Sequence, residues 1–183
     1  MPSLKEDRAF LCSAAPELEN YLLSKDLYRP LPPGGGFATL PSLTVGNILL
    51  AQARCLGISS ALTEDVKRAI ETIGAVRSKW LIHWRSKARQ EAASRSNLWG
   101  QYLEDLIETP HQNLPAYAYQ VRNRAICELL KAEHPEKDEA VAANLAVMDS
   151  QLKAHSRPGA FIWEGEIEHA FAPDHFWFLF VSF

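Results

Sequence analysis

From Thr63 onward the chain meets no proline until Pro110, and this long uninterrupted run is the feature that most constrains its fold. Thr63 is a suitable N-cap, and Glu64 and Asp65 put negative charge at the positive end of a helix dipole. Val66, Ile70, Ile73, Trp80 and Trp84 follow at three- and four-residue intervals, and Leu98, Tyr102 and Leu106 resume the same face after a polar stretch. The spacing predicts one helix over 63–108, about 70 Å long at ~1.5 Å per residue. Gly74 and Gly100 are its weak points, where it could bend.

Shorter segments flank this run. Pro16 to Ser24 reads as a short helix carrying Leu18, Leu22 and Leu23, and Leu31-Pro32-Pro33-Gly34-Gly35-Gly36 reads as a flexible linker. Leu43 to Leu56 resumes helical spacing through Val45, Ile48, Leu49 and Ala53, with Gly57 as its stop. Pro115 opens a helix whose stripe is Tyr117, Val121, Ala125 and Leu129. Pro135, with Glu136, Asp138 and Glu139 in its first turn, opens another through Val141, Leu145, Met148 and Leu152, ended by Pro158-Gly159. The expected class is all-α, an antiparallel helical bundle built around one long helix. One domain over 1–183 is expected: a short helix and Pro/Gly-rich loop in 1–42, the bundle in 43–157, and an aromatic segment in 158–183 packed on the bundle or on a partner.

Composition bounds the setting. With 47% hydrophobic and 22% charged residues the chain is an ordinary globular protein, and its formal charge of −3 implies no partner by itself. Cys12, Cys55 and Cys127 are widely spaced with no C-x-x-C pair, which argues for a reducing compartment and against a disulfide framework or structural zinc. The apolar run Ala9 to Ala15 follows Glu6 and Asp7 and meets Pro16, unlike a signal peptide. No stretch approaches the ~18 apolar residues of a membrane span. A cytoplasmic protein with no membrane association is therefore expected.

Catalytic motifs are missing. The Gly34-Gly35-Gly36 run follows prolines rather than a strand and lacks the G-K-S/T ending of a phosphate loop. There is no G-x-S-x-G elbow and no H-E-x-x-H. Cys55 and Cys127 lie within apolar helical runs, where cysteine is a small core residue. Glu-x-x-His occurs at Glu108–His111 and Glu166–His169, a spacing that di-iron bundles use, but Pro110 and Pro173 argue against the long helices such a site needs. No catalytic residue, metal ligand or cofactor is expected.

Charge placement is more informative. Residues 77–95 hold Arg77, Lys79, Arg85, Lys87, Arg89 and Arg95 against only Glu91, a local excess of +5 that leaves −8 elsewhere. Projected at about 100° per residue, Arg77 falls amid Ile70, Ile73, Trp80 and Trp84, and Glu91 and Arg95 share that face. Arg122 falls between Val121 and the Ala125/Leu129 line. Charges carried inward need partners. Glu91 and Arg95 have the favourable i,i+4 order for an ion pair. Arg77 and Arg122 would need acids such as Glu104, Asp105 or Glu128, or else a bound anion. In the latter case Arg77, Trp80, Trp84, Glu91, Arg95 and Arg122 are the candidate ligand-binding set.

Eight of the eighteen aromatic residues lie in the last 23 positions: Phe161, Trp163, Phe171, Phe176, Trp177, Phe178, Phe180 and Phe183. A tail so aromatic must be buried on its own bundle or on another protein. The segments Leu43–Leu50, Tyr119–Arg124 and Phe176–Phe180 resemble stretches of bacterial proteins, a likeness that implies no activity. Three functional expectations follow. The first is a non-enzymatic interaction or scaffold protein, with Phe176, Trp177, Phe178 and Phe180 meeting a protein partner or a second copy. The second is a nucleic-acid-binding module in which Lys79, Arg85, Lys87 and Arg89 join the other basic residues on phosphates while a tryptophan stacks on a base. The third is a binder of, or enzyme for, an anionic small ligand.

Overall fold

A computed structural model describes residues 3–133 and 138–183. It is mostly helical, with an aromatic C-terminal segment, so the all-α expectation holds. The helices are α1 (Leu4–Leu23), α2 (Val45–Leu56), α3 (Glu64–Lys79), α4 (Leu81–Glu108), α5 (Pro110–Asn113), α6 (Tyr117–Gln120), α7 (Arg122–Leu130), α8 (Glu139–His155) and α9 (Pro173–Phe176). Strands β1 (Arg157–Pro158) and β2 (Val181–Ser182) form a two-residue antiparallel ladder. The chain divides into two compact units, one ending at Glu91 and the other running from Ala92 to Phe183. The division falls inside α4, where no glycine- or proline-rich linker marks it.

In the first unit α1 is twice the length expected. Ser3 Oγ accepts the Glu6 amide at 3.2 Å, so the helix starts well before Pro16, which lies inside it. Proline costs an intrahelical hydrogen bond. Burial of Phe10, Leu11, Ala14, Leu18, Tyr21 and Leu22 offsets that cost. Asp7 and Arg54, both buried, meet at 2.6 Å and tie α1 to α2. Cys12 lies beside Asp65 and Ala69 at the start of α3, while Glu19 meets Lys79 at its end, so α1 and α3 run in the same direction. The glycine run is a packed turn rather than a flexible linker. Gly34 and Phe37 exchange backbone hydrogen bonds, Gly35 has φ +60°, and a Cβ on Gly35 would stand 2.3 Å from Ala9 Cβ.

The long helix is interrupted at neither glycine. It breaks at Trp80, whose φ of −116° and ψ of 37° leave the helical region. Gly74 sits inside α3. Gly100 serves packing instead of bending: a Cβ there would lie 2.6 Å from Met148 Cε, so glycine admits α8 against α4.

In the second unit the helix expected from Pro115 begins earlier, with Pro110 in the first turn of α5, and reaches Leu130 through a turn at Val121. Asp138 caps α8, its carboxylate accepting the Val141 amide at 3.2 Å. The expected start of that helix at Pro135 and Glu136 lies outside the described residues. Leu145 and Leu152 are buried from α8. Arg124 is a buried charge that the helical stripe did not reveal. Its guanidinium holds both oxygens of Asp149 at 2.9 and 2.8 Å and Glu128 at 2.8 Å, and lies 4.5 Å over the Phe178 ring. The aromatic segment closes this core: Trp163 Nε1 donates to Ala118 O and Tyr117 Oη to Phe178 O, both at 2.8 Å.

Phe178 has no exposed surface. Phe178→Ala should cost ~3–5 kcal/mol, read from urea unfolding of the variant. Glu128 gives a second test. Burial alone would raise its carboxyl, but hydrogen bonds from Lys131 and Arg124 outweigh this and hold it below its ordinary value of 4.5. A carboxyl depressed in the folded state contributes stability above its unfolded value and loses it as pH falls through the folded one. Near neutrality the Glu128 contribution is fully present and the melting temperature should not change with pH on its account, whereas below about pH 4.5 it should drop. Glu128→Gln should flatten that acid limb in a thermal-melt series; an identical acid limb in the variant refutes the assignment.

Candidate functional site

In the second unit, α4 and the segment from Asn113 to Asn123 line an open cavity of about 420 Å³. Arg95, Leu98, Gln101, Tyr102 and Asp105 line it from α4, at the spacing that keeps side chains on one helix face. Asn113, Tyr119, Gln120, Arg122 and Asn123 face them. Arg95 Nη1 donates to Asn123 Oδ1 at 3.0 Å, and Arg122 lies 4.9 Å over the Tyr119 ring. Tyr102 Oη donates to Asn113 O at 3.0 Å. Burial pushes the Tyr102 phenol up to about 12, so it stays a protonated donor near neutrality. Its ring stands 5.7 Å from that of the buried Trp99. Two cationic forks, two phenol rings and four carboxamides can hold a carboxylate or phosphate together with a polar or aromatic body.

Four of the residues read from sequence as a ligand set sit elsewhere. Arg77 is exposed, in the first unit, 5.8 Å over the Trp84 ring. The stripe drawn through Ile70 and Trp84 left out Ala69 and Val76. With Val66, Ala69 and Ile73 buried, the centre of the inward face moves away from Arg77. Trp84 is wholly buried, and half-buried Trp80 makes an edge contact with His83 at 5.4 Å. Glu91 is inaccessible, and its Oε2 accepts the Gly46 amide at 2.7 Å at the start of α2. Arg95 and Arg122, by contrast, are buried and line the same cavity. Of the acids proposed as their partners, Glu128 pairs with Arg124, Glu104 is exposed and Asp105 lines the cavity.

The basic band is partly engaged in structure. Lys79 pairs with Glu19 at 2.9 Å. Lys87 is buried, donating to the carbonyls of Ser24 and Asp26 and lying 4.8 Å over Tyr21; burial holds its ammonium below the ordinary value. Arg85 and Arg89 are exposed. Within the aromatic tail, Phe176 and Phe178 are buried, while Trp177 and Phe180 are half-buried. Those two line a second cavity of about 570 Å³ with Pro158, Pro173, Lys153 and Arg157, and Lys153 lies 4.6 Å over Trp177.

Cys55 and Cys127 are buried, and burial pushes the Cys55 thiol up to about 12, which suppresses nucleophilic thiolate. Glu108 ends α4 with His111 in the next short helix, and Glu166 and His169 lie on a single 3₁₀ segment. Among the described residues no group of three histidines, cysteines or carboxylates gathers as metal ligands would, and no helix is long and apolar enough to cross a membrane. No family model, curated protein or solved structure matches the chain.

From inside α4, Lys87 and Glu91 thus complete the end of α1 and the start of α2. Lys87→Met and Glu91→Gln should each lower the free energy of unfolding by ~1.5–3 kcal/mol, the worth of a charge-assisted hydrogen bond. Chemical denaturation checks this, and a variant as stable as the parent would refute the role.

Proposed function

We propose that this chain binds a small anionic molecule, a carboxylate or phosphate, between Arg95 and Arg122. The observation that carries this reading is that the two buried arginines, from different helices, line one cavity with Tyr102, Tyr119 and four carboxamides. Arginine presents a planar fork matched to carboxylate and phosphate oxygens, and partial burial strengthens the attraction by lowering the local dielectric. The cavity volume falls within the usual range for small-ligand sites, about 300–1,000 Å³. Nucleic-acid binding has less support, because Lys79 and Lys87 are spent on Glu19 and on backbone carbonyls.

A partner-docking reading keeps one specific observation, the apolar cavity where Trp177 and Phe180 remain partly accessible. Trp177→Ala should then change the oligomeric state on size-exclusion chromatography without unfolding the protein; an unaltered elution volume removes self-association through that surface.

For the anion site, phosphate, sulfate and citrate should raise the melting temperature above a chloride control of equal ionic strength. At a hundredfold excess over Kd the gain is about 2.7 kcal/mol, several degrees for a chain of this size. Arg95→Met and Arg122→Met should abolish the response, and Arg77→Met should retain it. If no anion exceeds chloride, or if Arg77→Met alone removes the effect, the assignment is wrong.

A further inference from the structure

The two ends of the Arg95–Arg122 cavity carry opposite charge. Arg95 and Asp105 are ten positions apart on the continuous helix α4, about 15 Å at ~1.5 Å per residue. The facing wall runs the other way. Asn123 is bonded to Arg95 at one end, and Asn113 at the other donates to the Asp105 carbonyl at 2.9 Å and accepts from Tyr102. Arg95, Arg122 and Asn123 therefore form a cationic end, and Asp105 with Asn113 an anionic end.

Asp105 differs from the acids of the core. Glu128 and Asp149 are engaged by Arg124, whereas the exposed Asp105 carboxylate makes no ion pair or hydrogen bond among the described residues. A ligand anionic throughout its length would be repelled there. One with an ammonium at that end would be attracted.

Between the ends stand Gln101, Gln120 and Tyr119. A carboxamide offers both a donor and an acceptor, the pairing a peptide group requires. An extended chain advances about 3.3–3.6 Å per residue, so four residues span about 14 Å.

Resting on the anion-site reading, we infer that the cavity takes a short peptide with both termini free, its carboxylate between Arg95 and Arg122 and its ammonium at Asp105. The site reads termini and backbone, so small side chains suffice.

The experiment titrates tetra-alanine into the full chain, followed by NMR shifts of the Arg and Trp side-chain N–H groups. Its N-acetylated, C-amidated and dipeptide forms are run in parallel. Free tetra-alanine should bind best. Amidation should weaken it at least tenfold, as expected for losing charge-assisted bonds to buried arginines. Acetylation should weaken it up to about fivefold, the scale of an exposed ion pair. Asp105→Asn, an exposed change, should bind free and acetylated peptides equally. The dipeptide, too short to reach both ends, should bind no better than acetate. If acetylation has no effect on the parent protein while amidation abolishes binding, the dipolar ligand is overturned and the anion site stands. The dipolar ligand is overturned in the same way if no peptide binds but phosphate still stabilises the protein. If neither peptides nor simple anions bind, both readings fall.

Discussion

Two helix ends in the first unit are completed by one turn of α4. Helix α1 has no basic residue in its last turn and α2 no acidic residue in its first. Lys87 supplies the positive charge where α1 terminates, and Glu91, four residues on, supplies the negative charge where α2 begins. Each compensates orphaned backbone groups and a helix dipole. The order of the pair matters: exchanging them would set each charge against the wrong pole. Within the first unit this ties the end of α1 and the start of α2 to the opening turns of α4, up to Glu91, before any apolar contact is counted. It also explains why a lysine and a glutamate occupy a face that otherwise buries Trp84, Ala88 and Ala92.

The second unit uses arginine in two ways. Arg124 is closed off by Asp149, Glu128 and the Phe178 ring, so its charge is spent inside the core. Arg95 and Arg122 are also buried but border open volume with Asn123 and Tyr119. The arrangement on α7 separates a structural arginine from one facing a cavity by only two positions, because successive helical residues point about 100° apart.

Much of this was legible from the residues. The long proline-free run, the stripe of α8 and the burial of the aromatic tail follow from spacing and composition. Three kinds of information were not. Pro16 suggested a helix start because its local cost is visible in sequence, whereas the packing of Phe10 and Leu11 that offsets it is not. Arg77 reads as buried only while Ala69 and Val76 are omitted from the stripe, although small residues define the closest face of a helix as firmly as tryptophan. Arg124 went unnoticed because its acids come from Glu128 on its own helix and Asp149 some 25 residues further on. Of the cavity, sequence names Arg95 and Arg122 as ligand contacts and Asp105 only as a candidate acid; Tyr119, Gln120 and Asn113 come from short helical turns whose register no periodicity predicts.

The Gly100–Met148 contact has a consequence of another kind. The methionine methyl occupies the space that any larger residue at position 100 would need, and its sulfur lies 3.6 Å from the same point. Methionine fits by being flexible and apolar. Oxidation to the sulfoxide adds a polar oxygen to a sulfur already seated against the helix backbone. The fit that lets α4 and α8 pack so closely therefore makes this helix pair sensitive to peroxide, at a position far in sequence from every cysteine in the chain.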